Sequence, residues 1–176
     1  MNMMQDKTKK LTTTAVMTAL VFVVTLLIYI PVPAVKGAYF NIGDVIIYCL
    51  SFILGGPYAV FAAAVGSALA DLTLGSVIYI PATLLIKGCM ALIVGVVTLK
   101  SMSFGRYLLA CVIAGLVMAF GYCTYEFFVI GGWAAAAATF IPNMIQAGCG
   151  VAIAAALYHP MRSLRSRFAL RPKLSC

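Results

Sequence analysis

An all-α integral membrane protein of six transmembrane helices, with both termini cytoplasmic, is what this sequence predicts. Three observations carry that expectation. Apolar residues make up 64% of the 176 and charged residues only 9%, where soluble domains run near 25% charged, so the composition suits lipid as the solvent. The apolar residues gather into long runs broken by Pro, Gly and basic residues. Of the 12 Lys and Arg residues, six crossings bring Lys7, Lys9, Lys10, Lys100, Arg106, Arg162, Arg165, Arg167, Arg171 and Lys173 to one side, leave Lys36 alone on the other and put Lys87 within the membrane. That asymmetry follows the positive-inside rule.

The first helix is read at residues 11–30, stopped by Pro31. At ~1.5 Å per residue it spans ~30 Å, the thickness of the hydrocarbon core. A loop over 32–42 follows, with Pro33, Lys36, Gly37, Tyr39 and Phe40. Residues 43–54 form a short second helix ended by Gly55-Gly56-Pro57, and 58–72 a third, closed by a turn at Gly75. Twelve residues give only ~18 Å of helix, so 43–74 reads as two crossings or as a re-entrant pair; a single crossing would strand the basic tail outside. The fourth helix is read at 79–99, the fifth at 107–130 and the sixth at 140–158, with Gly131-Gly132, Trp133 and an alanine run connecting the last two. Residues 159–176 read as a basic, frayed cytoplasmic tail. The whole chain makes one membrane domain.

Several function classes drop out on composition. A net charge of +8 suggests nucleic acid in a soluble protein, but here the basic residues mark helix ends and no basic stripe interleaves with aromatics. Five of the six cysteines lie inside apolar runs without C-x-x-C spacing, so they read as packing residues, not as metal ligands or a disulfide framework. The first apolar run is too long for a typical signal-peptide core, and we expect no cleavage. No cofactor is implied, and no G-x-x-x-x-G-K-[ST] element is present to bind ATP.

Charged groups inside a membrane helix cost about 2.5–3.5 kcal/mol each at mid-bilayer and need a reason. This chain has Asp44, Asp71, Lys87 and Glu126. Under the six-helix topology all four fall in the outer half of the bundle, together with Asn143 and Gln146 on the sixth helix. Thr83 with Lys87 and Tyr122 with Glu126 are i, i+4 neighbours, so each pair presents two polar groups to one side. Tyr39, Phe40, Tyr79, Phe127 and Trp133 gather at the same level, either as interfacial belt aromatics or as walls for a flat ring. Lys87 pairing with Asp71 or Asp44 is the structural alternative for those charges. Glu126 has no evident partner and is the preferred ligand-facing acid.

The stretch GAYFNIGDVIIYCLSFILGGPYAVFAAAVGSALADL, with YIPATLLIKG after it, resembles the substrate-binding S components of energy-coupling factor (ECF) vitamin transporters. The likeness is greatest to the riboflavin-type group, with its hydroxymethylpyrimidine, pyridoxine and queuosine-precursor branches. The resemblance implies a prokaryotic plasma-membrane protein with no catalytic residues. It would capture a vitamin-like small molecule from outside and topple when docked on a transmembrane coupling protein with two ATPase subunits. It further implies that Ala15 and Ala19, two small residues one turn apart on the first helix, dock on the coupling protein, and that residues 32–42 form the substrate lid. The expected binding residues are Glu126, Lys87, Asn143, Gln146, Tyr39, Phe40, Asp44, Thr83, Tyr122 and Asp71.

Other readings stay open at the level of sequence. One is a self-sufficient proton-coupled or facilitative carrier using Glu126 or Asp71. An intramembrane hydrolase on Ser67 and His159 lacks a G-x-S-x-G element and places the two residues at opposite ends of the bundle. A purely structural subunit leaves the outer polar groups unexplained. Three acids against Lys36 and Lys87 disfavour a phosphate ester and suit a neutral or weakly basic ring. Hydroxymethylpyrimidine or a pyridoxine-like vitamin is expected first, then a queuosine precursor or riboflavin.

Overall fold

The computed structural model of the chain describes residues 3–168; the expectations for Arg171, Lys173 and the end of the tail lie outside those residues. Seven α-helices are present among them: α1 (Met3–Leu27), α2 (Gly43–Leu54), α3 (Gly56–Thr73), α4 (Ile80–Leu99), α5 (Phe104–Tyr125), α6 (Gly132–Ala156) and α7 (Tyr158–Phe168). A two-stranded antiparallel ribbon, β1 (Ile30–Pro31) with β2 (Tyr39–Phe40), closes the base of the loop after α1. Three segments are long and apolar enough to cross a bilayer: Lys10–Leu27, Val77–Leu99 and Phe104–Ala156. The last holds α5 and α6 together, and the chain reverses between them at Gly131 and Gly132, the latter with φ +65°.

α2 is the hub. It packs against α1, α3, α4, α6 and α7, and nine of its 12 residues are buried. A helix enclosed by others need not match the bilayer in length, which accounts for its shortness. Gly55 and Gly56, at φ +58° and +61°, turn the chain from α2 into α3 through a region where a side chain would be strained. Pro57 and Pro81 sit in the first turns of α3 and α4, where a missing N–H removes no helical bond.

Small residues set the helix spacing. On α3, Ala59, Ala62, Ala63, Gly66 and Ala70 form one buried stripe at helical spacing. Gly66 lies so close to α1 that an added Cβ would sit 2.7 Å from the Thr18 carbonyl oxygen and 2.9 Å from the Val21 Cβ. Tyr48 of α2, fully buried, fits between Gly115 of α5 and Gly150 of α6. Large apolar side chains such as Leu27, Leu85, Phe120 and Ile141 point outward, as a lipid-facing surface requires.

Four boundaries differ from the sequence expectation. α1 ends at Leu27, not residue 30, which lies in β1. α1 begins by Met3, not residue 11, because its Met, Gln and Lys residues favour helix beyond any apolar run. α6 begins at Gly132, not residue 140: the alanine run expected as a connection consists of the strongest helix former. Tyr158–Phe168 is helix where a frayed tail was expected. α7 is held by Tyr158, whose hydroxyl donates to the Met102 carbonyl and whose ring packs on Phe52, Phe104 and Tyr107. Arg165 stacks 4.7 Å over Phe52 and donates to the Thr98 carbonyl at 3.0 Å; burial lowers its guanidinium pKa from the ordinary value.

Candidate functional site

A polar cavity lies where the loop of residues 28–42, the α3–α4 turn and the α5–α6 turn meet. Its lining comes from every side: Gly37, Ala38, Tyr39 and Asn41 of the loop, Asp71 of α3, Tyr79, Thr83 and Lys87 before and on α4, Tyr122 and Glu126 of the α5 end, and Asn143 and Gln146 of α6. Its free volume is about 30 Å³, far below the roughly 300 Å³ or more of a typical ligand pocket, so admitting a ring requires part of the wall to move.

The floor is a satisfied charge network. Lys87 pairs with Asp44 Oδ1, and both are buried. Gln146 Nε2 donates to Asp44 Oδ2 at 2.7 Å, while Gln146 Oε1 accepts the Asn41 N–H at 2.9 Å. Asn41 Oδ1 in turn accepts the Gly43 N–H at 2.8 Å, at the start of α2. Asp44, in the first turn of α2, also meets the positive end of that helix dipole. Met118 offers its sulfur 3.4 Å from Lys87 Nζ and 3.3 Å from Gln146 Nε2.

One wall belongs to Glu126. A π-helical turn, Glu126–Gly131, continues α5 and holds this carboxylate buried against α6. Tyr79 donates to Oε1 at 3.0 Å, and Thr139 donates to Oε2. One helical turn along the same wall are Thr83 and Tyr122, whose hydroxyls share a hydrogen bond of 2.9 Å, and the Tyr122 ring has Lys87 Nζ 5.6 Å from its centroid.

The roof is the loop. Tyr39 donates to Asp71 Oδ1 at 2.5 Å. Burial, and then the Asp71 charge, push the Tyr39 phenol far above its usual pKa, so it remains the donor. Ser76 Oγ donates to the Gly37 carbonyl at 2.8 Å. Val35 and Ala38 pack with Tyr79 and Ala135 as a small apolar cluster.

Two expected residues sit differently from the rest. Phe40 is not part of the lining: next to Tyr39 in β2, it takes the other face of the ribbon, since successive strand side chains alternate. Asp44 lies beneath the cavity, engaged by Lys87 and Gln146, and Lys87 takes it over Asp71 as its ion-pair partner. Glu126, expected without a partner, has two donors. Asn41 and Thr139 join the site without standing out in the sequence pattern. Asn41 lies within the stretch that carries the family resemblance, and Thr139 precedes Asn143 by one helical turn once the alanine run is helix. Ala15 and Ala19 are exposed on α1, away from the cavity.

The sequence matches the family described as ECF-type riboflavin transporter, S component, over residues 5–163. An uncharacterized protein of Pyrococcus woesei is 39% identical over 137 residues, covering 78% of this chain and 90% of that protein. The thiamine precursor transporter HmpT of Lactococcus lactis subsp. cremoris (strain MG1363) is 32% identical over 162 residues, covering 89% of this chain and 90% of that one. A match spanning nearly every described helix, on a bundle with several membrane-length apolar segments, places this chain in the ECF-type riboflavin transporter S-component family, as a multi-pass substrate-capturing transport subunit of the plasma membrane.

Proposed function

We propose that the chain captures a small vitamin-like heterocycle, of the hydroxymethylpyrimidine or pyridoxine type, from outside the cell. Six crossings with both termini in the cytoplasm put the polar cavity beneath the outer surface, and α2 with α3 would supply two of those crossings. The loop of residues 32–42 acts as the lid. The energy comes from partners: a transmembrane coupling protein and two ATPase subunits, on which the subunit topples with Ala15 and Ala19 at the contact. The chain contributes no ATPase of its own.

One observation carries the reading of the ligand. The intramembrane acids Asp71 and Glu126 and the amides of Asn143 and Gln146 line a single small cavity, whose cation Lys87 is already paired with Asp44. A cavity with acids and no uncommitted cation favours a ligand that brings N–H donors over a phosphate ester or carboxylate. Asn143 adds both donor and acceptor, and Tyr39, Tyr79 and Tyr122 supply aromatic faces for a flat ring. The relative with a transport assignment handles a thiamine precursor, and hydroxymethylpyrimidine is the aminopyrimidine of that kind. Riboflavin, a larger tricycle, would demand much greater displacement of the walls of this small cavity; a queuosine precursor, an amino-substituted heterocycle, ranks between them.

Calorimetric titration of the purified protein with hydroxymethylpyrimidine, pyridoxine and riboflavin tests this, with the first expected to bind tightest. Glu126→Gln should weaken that binding by about tenfold, ~1.4 kcal/mol, without lowering the melting temperature by more than a few degrees. Unchanged affinity in the variant would remove Glu126 from the site.

A further inference from the structure

Three carboxylates stand in or under the cavity, and they are not equally satisfied. Asp44 has Lys87 on one oxygen and Gln146 on the other. Glu126 has Tyr79 on one and Thr139 on the other. Asp71, equally buried, has Tyr39 on Oδ1, while its Oδ2 has no hydrogen-bond partner. A buried carboxylate oxygen without a donor is costly, and this one belongs to a residue lining the cavity. The neighbouring hydroxyl, Thr83, shares a hydrogen bond with Tyr122 and is close enough to Asp71 to interact with it, without coming within hydrogen-bond distance of Oδ2.

Asp71 is also where the loop is fastened. Its side chain accepts from Tyr39, and its backbone carbonyl accepts the Ser76 N–H at 2.8 Å. Ser76 reaches back through its hydroxyl to the Gly37 carbonyl, also at 2.8 Å. Two ties therefore run from the loop to one short segment at the end of α3.

We propose that Asp71 is the residue that selects the ligand by its amino group and couples that choice to closure of the loop: Oδ1 holds Tyr39, and Oδ2 takes an N–H of the ligand. This rests on the heterocycle-capture reading above and adds the group that is recognised. A ligand N–H on Oδ2 supplies the missing donor, favours the charged carboxylate, and so strengthens the charge-assisted bond to Tyr39. A ring of the same shape without the amino group leaves Oδ2 orphaned beneath a closed loop and is held less well.

The test compares 4-amino-5-hydroxymethyl-2-methylpyrimidine with the analogue carrying hydrogen in place of the 4-amino group, titrated calorimetrically into wild type, Asp71→Asn and Tyr39→Phe in nanodiscs. The wild type should prefer the amino compound by about 10- to 100-fold, the range of a hydrogen bond to a charged group. Asparagine keeps an acceptor for Tyr39 but sets an N–H donor where the ligand's must go, so Asp71→Asn should erase or invert the preference. Tyr39→Phe should weaken both compounds, the amino compound more, so that their ratio narrows. A ratio undiminished in folded Asp71→Asn overturns the proposal, as does a Tyr39→Phe variant that keeps the wild-type ratio. Equal binding of the two compounds by wild type overturns it while leaving pyrimidine capture intact; binding of neither brings down pyrimidine capture itself.

Discussion

Leucine at both Ala15 and Ala19 should abolish uptake in cells while leaving substrate affinity of the purified protein unchanged. The two residues lie one turn apart on α1, and both are exposed. The buried face of that helix is made by other residues, Thr14, Val21 and Thr25, and it is Val21 and the Thr18 backbone that meet Gly66 of α3. Isobutyl groups at 15 and 19 therefore touch nothing in this chain, and leucine is a good helix former. What they destroy is a flat strip on which another helix can approach closely. Paired uptake and binding assays separate the two effects. Normal uptake by the double variant would show that this strip faces lipid; lost binding would show that it is coupled to the cavity.

Breaking the Lys87–Asp44 pair should be the most destabilising single change in the chain. Both residues are almost wholly buried. Removing one partner of such a pair leaves the other charge uncompensated, at a cost of about 3–5 kcal/mol. Lys87→Met leaves Asp44 with only the Gln146 amide; Asp44→Asn leaves Lys87 facing Met118 and the Tyr122 ring. Each single variant should express poorly and melt well below wild type in detergent. The double variant Asp44→Asn/Lys87→Met removes both charges and should recover most of the loss. Single variants as stable as wild type would mean that the pair contributes to binding alone.

Much of the bundle was legible because its punctuation is chemical. The Gly55-Gly56-Pro57 turn and Gly131-Gly132 end helices for reasons of φ and missing donors, whatever lies around them, whereas Pro31 falls in β1, after α1 has already ended at Leu27. The gathering of Asp71, Lys87, Glu126, Asn143 and Gln146 was legible too, because charge is so costly in lipid that its positions are informative. Pairing was not. Nothing in the sequence tells Lys87 to choose Asp44 over Asp71; that depends on the angle at which α2 meets α4. Nor does it show that Tyr39 turns inward and Phe40 away, since the two-residue ribbon that decides this has too little pattern to read. The start of α6 is hidden for a plainer reason: two glycines beside the alanine run resemble a connection, although alanine is the strongest helix former. Moving that boundary brings Thr139 onto the same helix as Asn143 and within reach of Glu126.

The claim on which everything turns is that the cavity under the loop exists to hold a small heterocycle. Mass spectrometry of small molecules released on denaturing the gently purified protein tests it without presuming which one. Wild type from cells grown in rich medium should release a compound of one ring bearing an amino group, and Asp71→Asn, purified alongside, should release little of it. Protein that comes away empty from medium supplemented with hydroxymethylpyrimidine and pyridoxine would contradict capture at this cavity; the same compound in equal amount from both proteins would contradict the role given to Asp71.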